Sequence, residues 1–409
     1  MSECNPITQG ELLGNVGTPD VSIIMPCLNE LDSLPHCIAN AKSALAEMAL
    51  QFGLSGEVVI ADNGSTDGSQ ALAERLGARV VAVARRGYGA ALIGGCSGAH
   101  GRYLLMGDAD GSYDFGDGVA MIGRLVDGAD VCMGSRFLGG IAPGAMPWKN
   151  RYIGNPALTG VLNLFFKSGI NDAHCGIRAI TKPAFLQCDL SSLGMEFASE
   201  MVIKASLRKL RIDQVPATLS PDLRDRAPHL RPFRDGWRHL RYLLMLSPTW
   251  LFGVPALAAL LTATLIFVVA LCAQFGLIAD TPFGTSWTII AGFLMTVGHL
   301  AGILALATHF YGVRQGYRQL RPMLARISTW LRLENALIIG VGLMGISAGA
   351  LAAIALRWSA GGFTALPTTL PLILAAATGA MGMQTILGGF MLAIIAGHDA
   401  KFAENITAA

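Results

Sequence analysis

Apolar residues are concentrated in the second half of this 409-residue chain, and no other feature constrains its fold as strongly. Four apolar runs follow Arg241, and each is close to or longer than the stretch of about 20 residues that an α-helix needs to cross a bilayer. They cover residues 250–273, 286–311, 336–356 and 369–397. Before Arg241 the chain alternates short strand patterns with amphipathic helix patterns. We therefore expect one domain in water followed by four transmembrane helices.

The basic residues of the loops predict the orientation of these helices, because cytoplasmic loops are enriched in Lys and Arg. The loops after the first and third runs hold one basic residue, Arg357, whereas arginines are frequent before the first run and between the second and third. These are Arg224, Arg226, Arg231, Arg234, Arg238 and Arg241, then Arg314, Arg318, Arg321, Arg326 and Arg332. Residues 1–20 are polar, so we expect no cleavable signal peptide. We predict a multi-pass protein of the cell (inner) membrane whose first domain and C terminus are cytoplasmic.

Cysteine spacing and net charge argue against two other kinds of site. The eight cysteines include no Cys-x-x-Cys pair, which favours free thiols in a reducing compartment over a disulfide framework or a zinc site. The formal net charge is +2, and the sequence has no basic tract interleaved with aromatic residues. We therefore expect no nucleic-acid partner.

Three apolar strand patterns in the first domain each end in polar residues. The strands and the polar residues that follow them are 21–26 with Asn29 and Glu30, 57–61 with Asp62, and 104–106 with Asp108 and Asp110. A helix pattern follows each strand, which is the arrangement of a doubly wound sheet. Because ligands of such sheets bind beyond the carboxyl ends of the strands, these polar residues are expected to share one cleft.

Asp108 and Asp110 form the most specific of these strand ends. Side chains at positions i and i+2 of a strand point the same way, so a bend after the strand can bring both carboxylates to one hard divalent cation. An isolated Asp-x-Asp also occurs in solvated turns and caps. The neighbouring polar strand ends favour the metal, and we predict that both residues bind Mg²⁺ or Mn²⁺ together with a phosphate group.

Four motifs, in this order along the chain, resemble those of the family-two glycosyltransferases. They are Pro26-Cys27-Leu28-Asn29-Glu30, Asp62-Asn63-Gly64-Ser65-Thr66-Asp67-Gly68-Ser69, Asp108-Ala109-Asp110 and Gly134-Ser135-Arg136. Within that family the order is similar to that of the polyprenyl-phosphate glycosyltransferases, which include dolichyl-phosphate mannose and glucose synthases. The resemblance covers residues 21–241, and the apolar tail resembles the multi-helix C-terminal region of part of the family.

This resemblance implies a GT-A fold, an α/β domain with a Rossmann-like, doubly wound mixed sheet, followed here by a four-helix transmembrane bundle. It implies that Asp108 and Asp110 hold the metal on the diphosphate of a nucleotide sugar. The residues that it assigns to the base and ribose of the donor are Pro26, Asn29, Glu30 and Asp62. The family often has Gln or an acid two residues after the second Asp. That position is Ser112 here, with Asp114 beyond it, so the third metal ligand stays open.

Gly87 and Gly89 are further candidates for binding the donor. They follow a strand pattern at 80–84 and open a helix, where backbone N–H groups can approach a phosphate or sugar closely. A tight strand-to-helix turn is the alternative. Residues 219–231 resemble the family's mobile loop that closes over the donor diphosphate. Its candidate donor ligands are Arg224, Arg226 and His229.

A group of basic residues is a candidate site for the phosphate of a lipid acceptor. Ser135 and Arg136 end a strand pattern at 130–133, and Lys149 and Arg151 lie in the loop that follows. The alternative is a solvated basic loop near an anionic membrane. Arg178 lies in a segment similar to one of the family and is a candidate ligand for phosphate oxygens. We assign Arg136 and Arg178, together with the Asp pair, to the catalytic set.

The predicted organisation has five parts: an N-terminal tail 1–20, a GT-A domain 21–231, an interfacial amphipathic helix 232–248, four transmembrane helices 249–397 and a C-terminal tail 398–409. In the membrane part, Gly345 and Gly349 form a small-x-x-x-small pattern that predicts close helix packing. His299 and Gln384 lie inside apolar runs, where a hydrogen bond between helices is their expected role.

Together these patterns favour one function. We expect inverting transfer of a hexose from a UDP- or GDP-linked sugar to a polyprenyl phosphate at the cytoplasmic membrane face. The second pKa of a phosphate monoester is about 6, so this acceptor is already an anion and needs no general base. The alternatives are a neutral lipid acceptor such as diacylglycerol or ceramide, and a non-catalytic nucleotide-sugar-binding membrane protein. A homo-oligomer is compatible with the sequence, which does not fix the oligomeric state.

Overall fold

The computed structural model describes residues 18–224, 232–279, 281–315, 318, 320, 324, 326, 330–364, 366, 368–398 and 402. Arg226, His229, Arg231 and Arg321 lie outside the described residues, as does most of the predicted N-terminal tail. The chain divides into two compact units, Met1–Leu243 and Leu244–Ala409, which are described separately below.

The first unit is built on a seven-stranded mixed sheet with the strand order β3-β2-β1-β4-β6-β5-β7. The strands are β1 Val21–Cys27, β2 Gly56–Asp62, β3 Arg79–Ala82, β4 Tyr103–Met106, β5 Val131–Ser135, β6 Arg178–Thr181 and β7 Ile212–Pro216. Only β6 runs against its neighbours, since β4 and β5 both pair with it in antiparallel fashion and the other pairs are parallel.

Helices connect these strands and cover the sheet on both faces. They are α1 Leu34–Phe52, α2 Ser69–Arg75, α3 Tyr88–Gly98, α4 Asp117–Val126, α5 Arg136–Gly139, α6 Asn155–Phe166, α7 Lys182–Cys188, α8 Phe197–Leu207 and α9 Pro232–Met245. The buried side chains of α1 recur every three or four residues and join the main core with those of α4. The helix α1 ends at Gly53, whose left-handed φ of 68° suits glycine.

Helix α3 lies close to the sheet because it has little side-chain bulk at the contact. A Cβ atom added to Gly95 would lie 2.6 Å from Ile24 Cγ2 on β1 and 2.8 Å from Ala61 Cβ on β2. The missing side chain of Gly95 thus lets α3 pack directly on β1 and β2.

The topology places a ligand cleft at the carboxyl ends of β1 and β4. The chain proceeds from β1 outward to β2 and β3, then returns to place β4 on the other side of β1. Such a switch in direction opens a crevice beyond the strand ends. The mixed α/β sheet followed by four long apolar helices confirms the predicted fold class.

Among its described residues, the second unit contains four helices that are long and apolar enough to cross a membrane. They are α10 Val254–Gln274, α11 Thr285–Arg314, α12 Leu333–Ala360 and α13 Leu370–Ile395, and the first span begins at Thr249 with a π-helical turn. The predicted runs therefore correspond to helices, with bounds that differ by a few residues. The predicted domain boundaries stay a prediction.

Contacts within the second unit correct one packing prediction. A Cβ atom added at Gly345 or Gly349 would meet no atom within 4 Å, so the predicted glycine pair does not mediate close packing. Instead, a Cβ on Gly382 of α13 would lie 2.7 Å from the carbonyl oxygen of Gly340 on α12. His299 Nδ1 and Gln384 Oε1 are 2.9 Å apart, which is the expected hydrogen bond between helices.

Candidate functional site

A cleft of about 360 Å³ lies at the carboxyl ends of the central strands. Six of the residues singled out from the sequence line it: Pro26, Glu30, Gly87, Asp108, Asp110 and Arg224. They come from the ends of β1 and β4, the start of α3 and the segment after β7, and they lie far apart in sequence. The topology thus brings together most of the predicted donor-binding residues that the structure describes.

Asn29 and Asp62 shape one wall of the cleft by holding the turn after β2. The N–H of Asn29 donates to Ser65 Oγ at 2.9 Å, and Asn29 Oδ1 accepts the N–H of Thr66 at 2.8 Å. Asn29 has a left-handed φ of 58°, which this residue type tolerates better than most. The Asp62 carboxylate accepts the N–H groups at 64 and 65 and the side-chain amide of Gln70 at 2.6 Å. Both residues therefore act on the backbone of the turn.

Gly87 and Gly89 allow a neighbouring segment to approach the start of α3. The N–H of Gly87 donates to Asn63 Oδ1 at 2.7 Å. A Cβ atom would lie 2.1 Å from the carbonyl oxygen of Leu193 if added to Gly87, and 2.2 Å from that of Ser192 if added to Gly89. Gly87 also has a φ of 136°. These glycines have a packing role, and Gly87 in addition lines the cleft.

Asp108 is a partly buried carboxylate whose charge the protein only partly balances. Burial and the neighbouring Asp110 raise its pKa to about 6, although the Tyr88 hydroxyl and the charges of Arg224 and Arg178 act in the opposite direction. The hydroxyl of Tyr88 donates to Asp108 Oδ1 at 2.9 Å. The Asp108 carboxylate therefore lies where an added cation would relieve repulsion.

Asp110 is buried and contacts the segment that follows β7. Its Oδ1 accepts the N–H and the hydroxyl of Ser112, at 3.0 and 2.6 Å. Its Oδ2 lies 3.2 Å from Nη1 of Arg224, whose Nη2 also lies 2.8 Å from Glu30 Oε1. The N–H of Leu223 donates to the carbonyl oxygen of Asp110 at 2.9 Å. Arg224 is thereby held over both carboxylates.

The donor set at Asp108 and Asp110 fits a magnesium- or manganese-type site completed by substrate. No cluster of three or more His, Cys, Asp and Glu side chains able to hold a metal occurs among the described residues. Mg²⁺ in nucleotide sites is commonly bound by one or two carboxylates together with phosphate oxygens and water. The Ser112 hydroxyl donates to Asp110, and Asp114 accepts from Asn40 and Gly116. Two protein carboxylates are therefore the set that these residues offer.

Arg136 and Asp172 form a buried ion pair beside the cleft. Arg136 Nε and Nη2 donate to the two oxygens of Asp172 at 2.7 and 2.8 Å, so the bidentate face of the guanidinium is engaged. The remaining nitrogen, Nη1, lies 3.5 Å from the Tyr113 hydroxyl. Ser135 Oγ is buried and has no hydrogen-bond partner within the described part of the chain.

The other predicted basic residues occupy different positions. Arg178 is buried at the start of β6, where Nη1 donates to the carbonyl oxygen of Ala198 at 3.2 Å and Nη2 donates to that of Cys175. Lys149 and Arg151 lie before α6, where each cation lies within 6 Å of a neighbouring aromatic ring, that of Trp148 or Tyr152. Arg178 thus acts on Asp108 through its charge, while Lys149 and Arg151 belong to an aromatic, partly exposed segment.

Sequence reasoning did not identify Tyr88, Tyr113 and the pairing of Asp172 with Arg136. Tyr88 follows Gly87 directly, so its position at the start of a cleft-side helix was the available signal. Tyr113 accepts the N–H of Gly176 at 2.8 Å, across 63 positions of the chain. No spacing rule connects residues at such separations.

Comparison with known proteins identifies relatives over nearly the whole chain. The family described as glycosyl transferase family 2 matches residues 22–187, and the glycosyltransferase family 2 C-terminal transmembrane region matches residues 306–396. The low-salt glycan biosynthesis hexosyltransferase of Haloferax volcanii is 36% identical over 91% of this chain and 88% of its own length.

Two further relatives match about half of this chain. Polyprenol monophosphomannose synthase of Mycolicibacterium smegmatis is 28% identical over 48% of this chain and 76% of its own length. Dolichol-phosphate mannosyltransferase of Pyrococcus furiosus is also 28% identical, over 48% of this chain and 56% of its own length.

Proposed function

The chain belongs to glycosyltransferase family 2, and on that premise we propose that it transfers a hexose from a UDP- or GDP-linked sugar to a polyprenyl phosphate. The observation that carries the proposal is the pair of neighbouring carboxylates, Asp108 and Asp110, at the cleft edge of the sheet with buried arginines nearby. Such a site suits a reaction between two phosphate-bearing substrates.

The names of the relatives support the choice of substrates. The relative that matches nearly the whole chain is named a hexosyltransferase, and the other two are named for polyprenol and dolichol phosphate. The latter two align with about half of this chain, so the acceptor is part of the proposal.

The donor side of the cleft would bind and orient the nucleotide diphosphate. The turn held by Asn29 and Asp62 forms a rigid wall, and Arg224 is poised to exchange its carboxylate partners for phosphate oxygens. Asp108 and Asp110 would hold the divalent cation, which neutralises charge on the departing diphosphate when it is bound. Tyr88 fixes the rotamer of Asp108 through its 2.9 Å hydrogen bond.

The acceptor side is suited to an anion that needs no deprotonation. Arg136 is a buried cation whose third guanidinium nitrogen makes only a long contact, 3.5 Å, to the Tyr113 hydroxyl, and Arg178 adds a second buried cation. Asp172 is engaged by Arg136, and burial, His239 and Arg136 lower the pKa of His174 well below its ordinary value. Neither side chain is therefore arranged as a base for a hydroxyl acceptor, which favours the phosphate over a neutral lipid.

The proposal is tested with purified full-length protein, polyprenyl phosphate and a panel of UDP- and GDP-sugars, with the lipid product identified by mass. We expect one glycosylated polyprenyl phosphate, whose formation stops in chelator and returns with Mg²⁺ or Mn²⁺. The control variant Asp110→Ala should give no product. Equal turnover of unphosphorylated polyprenol or diacylglycerol would exclude the phosphate-acceptor mechanism, and absence of turnover with every donor would favour a non-catalytic role.

We further propose that the reaction takes place at the cytoplasmic face of the cell membrane. The arginine-rich segments, which by the positive-inside bias face the cytoplasm, support this orientation. An impermeant thiol reagent should label a cysteine placed between 275 and 284 from outside intact cells, but should not reach a cysteine after Ala409. The reverse labelling pattern would invert the topology.

A further inference from the structure

Helix α9 carries two side chains that contact the buried helix α8. Ser199 and Glu200 are consecutive residues of α8, and both are fully buried. The Ser199 hydroxyl lies 2.8 Å from Nδ1 of His239. The Tyr242 hydroxyl interacts with Ser192 and with the Glu200 carboxylate. His239 and Tyr242 are three positions apart, so they lie on one face of α9. Adjacent residues of α8 thus each have a partner on α9.

From Ser199, contacts lead to the Asp172–Arg136 ion pair beside the cleft. The Ser199 hydroxyl also lies 3.2 Å from Nε2 of His174, so it bridges two imidazoles whose rings meet edge to face at 4.7 Å. The N–H of His174 donates to Asp172 at 3.3 Å, and Asp172 holds Arg136 in the buried ion pair. Because buried polar networks orient their members jointly, a change at His239 can reach Arg136 through three intervening residues.

From Glu200, contacts lead to a segment that lines the cleft. Its carboxylate accepts the N–H groups at the start of segment 191–195, including that of Ser192 at 2.8 Å. A carbonyl of this segment accepts the N–H of Ala90 at the start of α3, at 3.2 Å. The segment ends at Met195, which lines the cleft. Glu200 therefore fixes the position of a cleft wall.

We propose that His239 and Tyr242 are positioning residues, His239 for the acceptor through the Asp172–Arg136 pair and Tyr242 for the donor through segment 191–195. The assignment of donor and acceptor to these two sides rests on the proposed function. In sequence, α9 directly precedes the first apolar helix, so the helix that leads into the membrane part is connected to the ion pair beside the cleft and to a segment that lines the cleft. Neither residue touches a substrate in this proposal.

Steady-state kinetics of two variants of the full-length protein separate the two connections. We expect His239→Ala to raise the acceptor KM by about five- to tenfold, the effect of one hydrogen bond, and to leave the donor KM unchanged. Tyr242→Phe should raise the donor KM by a similar factor and leave the acceptor KM unchanged. His239→Asn, which can place an amide near the position of Nδ1, should restore most of the loss. The matched control is Arg241→Gln, an exposed position of the same helix, which should change neither KM.

Hydrogen exchange measured on the same variants tests the positioning without relying on activity. Exchange should rise in peptides covering 172–176 for His239→Ala and in peptides covering 191–195 for Tyr242→Phe. Hydrogen exchange does not depend on which lipid is the acceptor. The positioning role can therefore be confirmed even if the proposed function is wrong. Should His239→Ala not fold, Ser199→Ala removes the same bridge. The proposal would be overturned if each variant changed both KM values equally, or if each raised hydrogen exchange equally in both segments. It would also be overturned if neither variant changed a KM value or the exchange.

Discussion

Carboxylates at the two edges of the sheet have pKa values that are shifted in opposite directions. At the amino-terminal edge, Glu57 near the start of β2 accepts from Arg79 at 2.9 Å, from Ser22 at 2.7 Å and from the N–H of His100 at 2.8 Å. Burial alone would raise the pKa of Glu57, but these hydrogen bonds outweigh burial and lower the pKa to about 2. At the carboxyl edge, burial and a second carboxylate raise the pKa of Asp108 to about 6.

This difference separates charges that stabilise the fold from charges that are available to a ligand. A carboxylate that the protein neutralises with its own donors contributes to folding, because its ionised form is favoured in the folded state. A carboxylate beside a second carboxylate, with too few cations, lowers stability and gains from an added cation. Beside the cleft, the buried Asp172 carboxylate is likewise paired by the protein itself, since Arg136 binds it through two hydrogen bonds.

The comparison is tested most severely by Asp108→Asn. We expect turnover to fall about a thousandfold or more, since a metal-held charge contributes several kcal/mol to the transition state. We also expect the melting temperature to stay equal or rise, because the substitution removes a charge that the folded state disfavours while an amide oxygen can still accept from Tyr88. Kinetics and thermal unfolding of the detergent-purified protein measure both. A clear fall in melting temperature would place Asp108 with the structural carboxylates.

In contrast to Asp108→Asn, the substitution Asp172→Asn should lower the stability of the protein. Its amide keeps a hydrogen bond to Arg136 but leaves the buried guanidinium without a counter-charge, which costs about 3 kcal/mol of unfolding free energy. We expect a large drop in melting temperature, and the exposed Asp127→Asn serves as control. An unchanged melting temperature for Asp172→Asn would show that water or another group balances the charge of Arg136. Asp172 would then not differ from Asp108 in its contribution to stability.

The sequence predicted the cleft edge well because its residues follow directly from local patterns. Apolar runs end at Asn29, Asp62 and Asp108, and parallel strands bring those ends together. The membrane helices followed from length and composition alone. The partners of these residues were not predictable in this way. The contact between Tyr88 and Asp108 spans 20 positions, and it depends on how α3 approaches the sheet.

The start of α8 and the contacts of α9 also could not be predicted from local sequence patterns. Helix α8 begins at Phe197, directly after the segment whose N–H groups Glu200 accepts, and no local pattern indicates that contact. The amphipathic pattern predicted α9 but gave no sign that His239 would pair with Ser199, 40 positions away. Such contacts depend on tertiary packing, which single-sequence periodicity does not encode.

Arg224 neutralises carboxylates of the cleft in this structure and is also a candidate ligand of the donor, so its substitution tests which role dominates. In the described structure it pairs with Glu30 and Asp110, so we infer that it moves to the donor phosphates when they bind. Arg224→Ala should raise the donor KM about tenfold, the effect of one charge-assisted hydrogen bond of about 1.5 kcal/mol, with little change in acceptor KM. Arg224→Lys should recover part of this loss, because a point charge replaces the fork incompletely. An unchanged donor KM would make Arg224 a structural partner of Glu30.

The smallest effect is expected at the amino-terminal edge, from Glu57→Gln. The pKa of Glu57 in the folded state is about 2, below its ordinary value of 4.5, so its contribution to stability is complete above pH 4.5 and is lost as pH falls toward 2. Near neutral pH we expect the variant to lose about 1 kcal/mol of unfolding free energy. This is less than the roughly 1.5 kcal/mol or more of a hydrogen bond to a charged group, because Arg79 is partly exposed. The gap in melting temperature between wild type and variant should therefore narrow between pH 5 and about pH 3. Glu74→Gln, an exposed position on α2, should show no such convergence. A gap that stays constant with pH would mean that packing, and not the charge of Glu57, supplies the stability at this edge, while turnover measured at neutral pH should be unaffected in either case.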